Sequence, residues 1–234
     1  MLTATTKAKD AAAPAPATPP EVTPALHDLR FCALLGAGAW ASVPPAVRAR
    51  FSRRLGPGVT VTYAGTVIRC RMSRAGWLLA QACRLFGAAL PLDRVIGVPA
   101  LVTLTEEAAQ GGQVWTRLYG RPRGFPQVIH SRKRFSGPTG LEEYLGGGFG
   151  IALRVSADIE GLRFHSDHYF LAFGALRLRL PAWLSPGEMT VSHIDRPDGW
   201  FAFVLELRHS RLGELIHQTG LFRERRGDDQ GDIA

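Results

Sequence analysis

The sequence predicts an α+β fold in which a long, curved antiparallel sheet of roughly eight to ten strands, half-barrel like, wraps one or two helices. Three observations carry that expectation. From Ala100 onward, short segments of alternating apolar and polar residues follow one another, as in Ile151, Leu153, Val155, Ala157 and Ile159 against Arg154, Ser156 and Asp158. The turn signals between them, such as Ser136-Gly137-Pro138 and Arg196-Pro197-Asp198-Gly199, leave short connections, which force antiparallel neighbours. One broadly apolar helical segment, Arg74 to Leu90, needs a large partner surface, and a curved sheet supplies one.

Residues 1–25 are Ala-, Pro- and Thr-rich with no apolar periodicity, and they read as a disordered tail. Residues 26–224 form the single α+β domain, and 225–234 a second, acidic tail. The apolar stretch His27 to Trp40 ends in Gly36-Ala37-Gly38 but lacks the third glycine and helix of a dinucleotide fingerprint, so no cofactor is expected. Ser42 ahead of Pro44-Pro45 predicts a capped helix with Val47, Phe51 and Leu55 on one side, stopped by Gly56-Pro57-Gly58. Val59 to Met72 carries strand formers broken at Ala64-Gly65, which predicts a hairpin. In the helix that follows, Leu78, Ala82, Leu85, Phe86 and Ala89 form the expected buried face. Strands are then predicted over 100–107, 113–119, 127–135, 149–159, 162–173, 176–180, 187–195, 200–208 and 214–222.

The net charge of +8 comes from an arginine-rich composition in which Lys7, Lys9 and Lys133 are the lysines. A GC-rich coding sequence accounts for part of that skew, and an anionic partner for the remainder. Nucleic acid is an unlikely partner on this pattern, because Phe164, Phe170, Phe201 and Phe203 sit among Leu and Val rather than interleaved with basic residues. Cys32, Cys70 and Cys83 form no C-x-x-C pair and suit a reducing compartment. With no signal-like run at the start and no apolar segment near the roughly 20 residues of a bilayer span, the chain reads as cytoplasmic.

Several phrases are shared with a known family. They are Val43-Pro44-Pro45-Ala46-Val47-Arg48, Trp115-Thr116-Arg117 followed by Tyr119-Gly120, and Leu180-Pro181 to Ser185-Pro186-Gly187-Glu188. Asp198-Gly199-Trp200-Phe201-Ala202-Phe203 and Leu212-Gly213-Glu214-Leu215-Ile216-His217-Gln218-Thr219-Gly220-Leu221 complete the set. In their order they resemble a bacterial domain family of unknown function (number 4166), found alone or C-terminal to domains like saccharopine dehydrogenase or a short-chain reductase. The resemblance implies no known activity, and it adds no reductase chemistry because the nucleotide-binding half has no counterpart here. The chain departs from the family at His217-Gln218, where a Tyr- and Arg-rich strand is usual.

Catalytic patterns are sparse. His165 and His168 point to opposite faces of a strand and cannot easily share a metal, so no metal site is expected. His165 with Asp167, and His193 with Asp195, each share a face and could orient a proton for acid–base work, although a solvated pair on a wet sheet face is the plainer reading. Gly146-Gly147-Gly148 lacks the Lys-Ser/Thr of a phosphate loop and reads as a turn. Glu106-Glu107 and Glu142-Glu143 diverge if extended. The leading functional reading is therefore a non-catalytic binding module for a small apolar or amphipathic ligand, with Trp115 lining a cavity and Arg117 at its mouth holding an anionic end such as that of a fatty acid. An accessory domain docking on a reductase-like protein or a membrane surface is the alternative, and an enzyme using a His/Asp pair is a third.

Overall fold

The structure, a computed structural model, describes residues 26–87, 89–107, 112–174 and 176–225. The two expected tails lie outside these residues except for Arg225, as does most of the turn before Gly112. The chain opens with β1 (Leu26–His27), α1 (Arg30–Leu35), α2 (Ala37–Ser42), α3 (Pro45–Phe51) and β2 (Arg53–Arg54). The long strand β3 (Thr60–Met72) leads into α4 (Arg74–Ala82), which continues as a 3-10 turn over Cys83–Phe86. Strands then follow without interruption by longer helices: β4 (Pro99–Glu107), β5 (Gly112–Tyr119), β6 (Gln127–Arg134), β7 (Glu142–Gly146), β8 (Phe149–Ala157), β9 (Gly161–Phe173), β10 (Leu176–Arg179), β11 (Glu188–Asp195), β12 (Trp200–His209) and β13 (Gly213–Glu224).

The half-barrel expectation is corrected here, because the sheet closes. Its antiparallel order is β9-β11-β12-β13-β3-β4-β5-β6-β7-β8, and β8 pairs back onto β9 from Phe149↔Leu171 to Ala157↔Leu162. Ten strands thus form a ring, and β10 hangs on the stretch of β9 that β11 leaves unpaired. Closure satisfies the backbone N–H and C=O groups that an open curled sheet would leave along two edges. The α+β description fails for the same reason: the strands enclose a cavity, and the helices lie at its ends.

At one end, α1 and α3 form a plug. Phe31 is fully buried, with its ring edge-on to Phe51, Phe135 and Phe164 at 5.1, 5.0 and 6.1 Å. Asp28 and Glu106 both bind the Arg30 guanidinium there. α3 starts on Pro45 without the expected Ser42 cap, since the Ser42 hydroxyl instead donates to the Ala39 carbonyl and ends α2.

At the other end lies α4, capped by the Ser73 hydroxyl, which accepts from the Gly76 amide at 3.1 Å. Its buried face is rotated from the predicted one: Gly76 and Ala80 are buried and Leu79 and Cys83 pack on the core, whereas Leu78 and Leu85 are exposed. The cause is a close approach. A Cβ on residue 76 would collide with the Leu215 carbonyl of β13, so the glycine side of the helix is the side that can touch the barrel. Gly65 misled the hairpin prediction in the same way. It is an interior residue of one continuous strand, and it lets the β13 backbone at Leu221 come close.

Candidate functional site

Strand alternation builds the barrel interior. On β5 the inward side chains are Gln113, Trp115, Arg117 and Tyr119; on β6 they are Gln127, Ile129, Ser131 and Lys133, register-paired in reverse order. Lys133 in turn faces Glu143 on β7. A cavity of about 450 Å³ lies between these strands, β11–β13 and α4, within the range of roughly 300–1,000 Å³ typical of small-molecule sites. Its walls are apolar and aromatic, including Ile129, Phe149, Ile151, Phe203 and Leu205.

Three charged groups interrupt that lining. The Arg117 guanidinium donates to Glu143 Oε1 at 3.0 Å and to the Ser131 hydroxyl at 3.1 Å, and Lys133 Nζ meets Glu143 Oε2 at 2.8 Å. Lys133 also lies 5.0 Å from the centre of the Trp115 ring and 5.7 Å from that of Phe164. Phe164 packs directly on the Phe31 and Phe51 plug, so the charged cluster sits on the cavity floor. Burial pushes the Glu143 carboxyl upward, but Lys133 and Arg117 outweigh it and hold its pKa at about 2. Burial lowers the pKa of Lys133, with Glu143 opposing and Arg117 adding to the fall.

The opposite end of the cavity is its mouth, where Phe86 on the turn after α4, Trp183 and Leu184 in the β10–β11 connection, and Leu212 in the β12–β13 turn line the opening. These four are exposed, Trp183 at 80%, and Leu85 beside them at 83%. Arg74, Arg84 and Arg211 are exposed on the same segments.

Both sequence-predicted ligand residues, Trp115 and Arg117, line the cavity, with one change of position: Arg117 belongs to the buried floor cluster and not to the mouth. Lys133 and Glu143 escaped the sequence reading. β7 was not foreseen, so Glu143 had no strand to sit on. Lys133 carried a faint signal, as an isolated lysine in phase with Ile129 and Ser131 on a strand. Glu142 turns the other way, to Arg177, Ser136 and Tyr144, as expected for adjacent residues of a strand.

The His/Asp pairs do not assemble. His165 contacts the hydroxyls of Ser156 and Thr190, while Asp167 binds Arg154 and His168. His193 is stacked on Phe201 and separated from Asp195 by Arg50, whose guanidinium reaches both, and burial holds the His193 pKa well below the usual imidazole range. Gly146-Gly147-Gly148 forms the β7–β8 turn. Among the described residues, no group of three or more His, Cys, Asp or Glu could hold a metal ion, and no helix is long and apolar enough to cross a membrane.

Fold and site together define a closed antiparallel β-barrel with an internal, largely apolar cavity. The chain belongs to the family described as Domain of unknown function (DUF4166), whose model matches residues 43–222. No curated protein and no solved structure matches it.

Proposed function

We propose that the barrel binds a small apolar or amphipathic ligand in its interior without transforming it. The observation that carries this reading is the cavity itself: about 450 Å³, walled by apolar side chains and open at one end. A core that only stabilised the fold would be filled, because protein interiors pack as densely as organic crystals. Trp115 and Arg117 are the proposed ligand contacts, the ring as part of the wall and the guanidinium as a polar anchor. Native mass spectrometry of protein purified from a bacterial host, followed by fatty-acid titration with tryptophan fluorescence as readout, tests it. We expect a co-purified small molecule or saturable binding; neither, up to about millimolar ligand, overturns the reading.

One observation favours a second, compatible reading, docking at an anionic membrane surface. Large apolar side chains are exposed on the segments that bound the mouth (Leu78 and Leu85 on α4 and the turn after it, Trp183 before β11), and Arg74, Arg84 and Arg211 are exposed on α4, that turn and the β12–β13 turn. Apolar side chains flanked by cations suit a negatively charged lipid surface. Co-flotation with vesicles containing phosphatidylserine, and not with neutral vesicles, is the expected outcome.

A further inference from the structure

We propose that the cavity floor receives the head of a monoanionic amphiphile, which enters head-first and leaves its hydrocarbon tail along the apolar walls toward the mouth. The inference rests on the binding-barrel reading and adds the charge, chemistry and orientation of the ligand.

Charge counting leads to it. Of the cavity-lining side chains, Arg117, Lys133 and Glu143 carry formal charge, His209 standing apart at the end of β12. With Lys133 protonated, two cations share one carboxylate, and the floor holds a surplus of one positive charge. Charge buried without a counter-charge is costly, so a ligand bringing one negative charge recovers interaction energy that an uncharged ligand cannot. Burial and Arg117 weaken the hold of Lys133 on its proton, and a bound anion strengthens it.

Geometry fixes the orientation. Glu143 occupies one side of both cations, at 3.0 and 2.8 Å. Arg117 is the more open of the two, with 21% of its side chain accessible against 7% for Lys133, and it lines the cavity with its remaining N–H groups available. A planar carboxylate suits such a fork. Beneath the cluster the Phe31, Phe51 and Phe164 plug closes the barrel, so a tail extends only upward, past Ile129 and Leu205, to the exposed rim at Phe86 and Trp183.

The test compares heads on one tail: dodecanoate, dodecanol and dodecyltrimethylammonium, titrated into the full-length protein below their aggregation concentrations and read by tryptophan fluorescence. We expect dodecanoate to bind at least about tenfold more tightly than dodecanol, since a desolvated charge pair is worth that much or more, and the ammonium compound most weakly. Lys133→Met, which balances the floor, should erase the preference for dodecanoate over dodecanol. Glu143→Gln, which raises the surplus, should increase it. Equal affinities of the wild type for dodecanoate and dodecanol, or tighter binding of the ammonium compound, overturn this proposal and leave the binding-barrel reading standing. Binding of none of the three overturns this proposal, and with no co-purified small molecule either it overturns both. Should a variant fail to fold, the wild-type head-group comparison alone decides.

Discussion

The two ends of the barrel are built from similar residues to opposite effect. At the plug end, Phe31 of α1 meets Phe51 of α3, Phe135 just after β6 and Phe164 of β9 edge to face, and Phe31 has no exposed surface. At the mouth, Phe86, Trp183 and Leu184 are exposed around an opening. The same side-chain chemistry is a closure in one place and an accessible rim in the other. Helix geometry makes the difference: the chain folds back over the plug in three short helical turns, whereas α4 rests on β13 through Gly76 and leaves its Leu78 and Leu85 edge unpartnered. The family match begins at Val43, so the mouth lies within the family's span while Phe31 lies before it.

The largest effect that would break this comparison is on the plug. Phe31→Ala should cost about 3–5 kcal/mol, the range for removing a fully packed phenylalanine, read as a lower midpoint in urea denaturation. A loss below about 1 kcal/mol would mean that the plug is dispensable to the fold.

Acid should then weaken both regions, the losses beginning at different pH. His193, beside the plug, has a folded pKa well below 6.5, so below about pH 6.5 the unfolded chain takes up a proton that the native state refuses, and stability falls. Glu143 on the floor has a folded pKa of about 2. Its contribution is present above the unfolded value near 4.5 and is lost as pH falls from there toward 2, for a total of about 3 kcal/mol. Urea midpoints measured across pH should show the loss in the lower window, between about pH 4.5 and 2, shrink in Glu143→Gln while the loss that begins near pH 6.5 persists. An unchanged lower window would place the titrating carboxylate elsewhere.

The strands were largely legible in the sequence because the alternation of residues such as Gln127, Ile129, Ser131 and Lys133 is imposed by the same two-sided environment that makes a barrel wall. Closure was not, since it rests on the pairing of β13 with β3, from Ile216↔Met72 to Glu224↔Tyr63, which joins opposite ends of the chain, and nothing local in either strand encodes that partner. The α4 face was misread for a different reason. Leu78 and Leu85 dominate a hydrophobicity pattern, while the feature that orients the helix is the missing Cβ of Gly76, which such a pattern scores as neutral. The inward placement of Trp115 and Arg117 was legible because the strand carrying them was. The floor cluster was only half visible, since its carboxylate is on β7, too short at Glu142–Gly146 to show an alternation.

The smallest stability effect sharpens the comparison most. Leu85 was expected in the core, where truncation costs about 2–5 kcal/mol, but it is 83% exposed, and substitutions at such positions stay within about 0.5 kcal/mol. Leu85→Ser should therefore leave the urea midpoint in place. If the rim serves to meet lipid, the same substitution, combined with Trp183→Ser, should remove co-flotation with phosphatidylserine vesicles, because it takes away apolar area that only a bilayer would cover. The preference for dodecanoate over dodecanol should persist in solution, since neither side chain touches the floor. Unaltered flotation would make the rim an ordinary exposed surface, and a large loss of stability would mean that α4 is held by Leu85 after all.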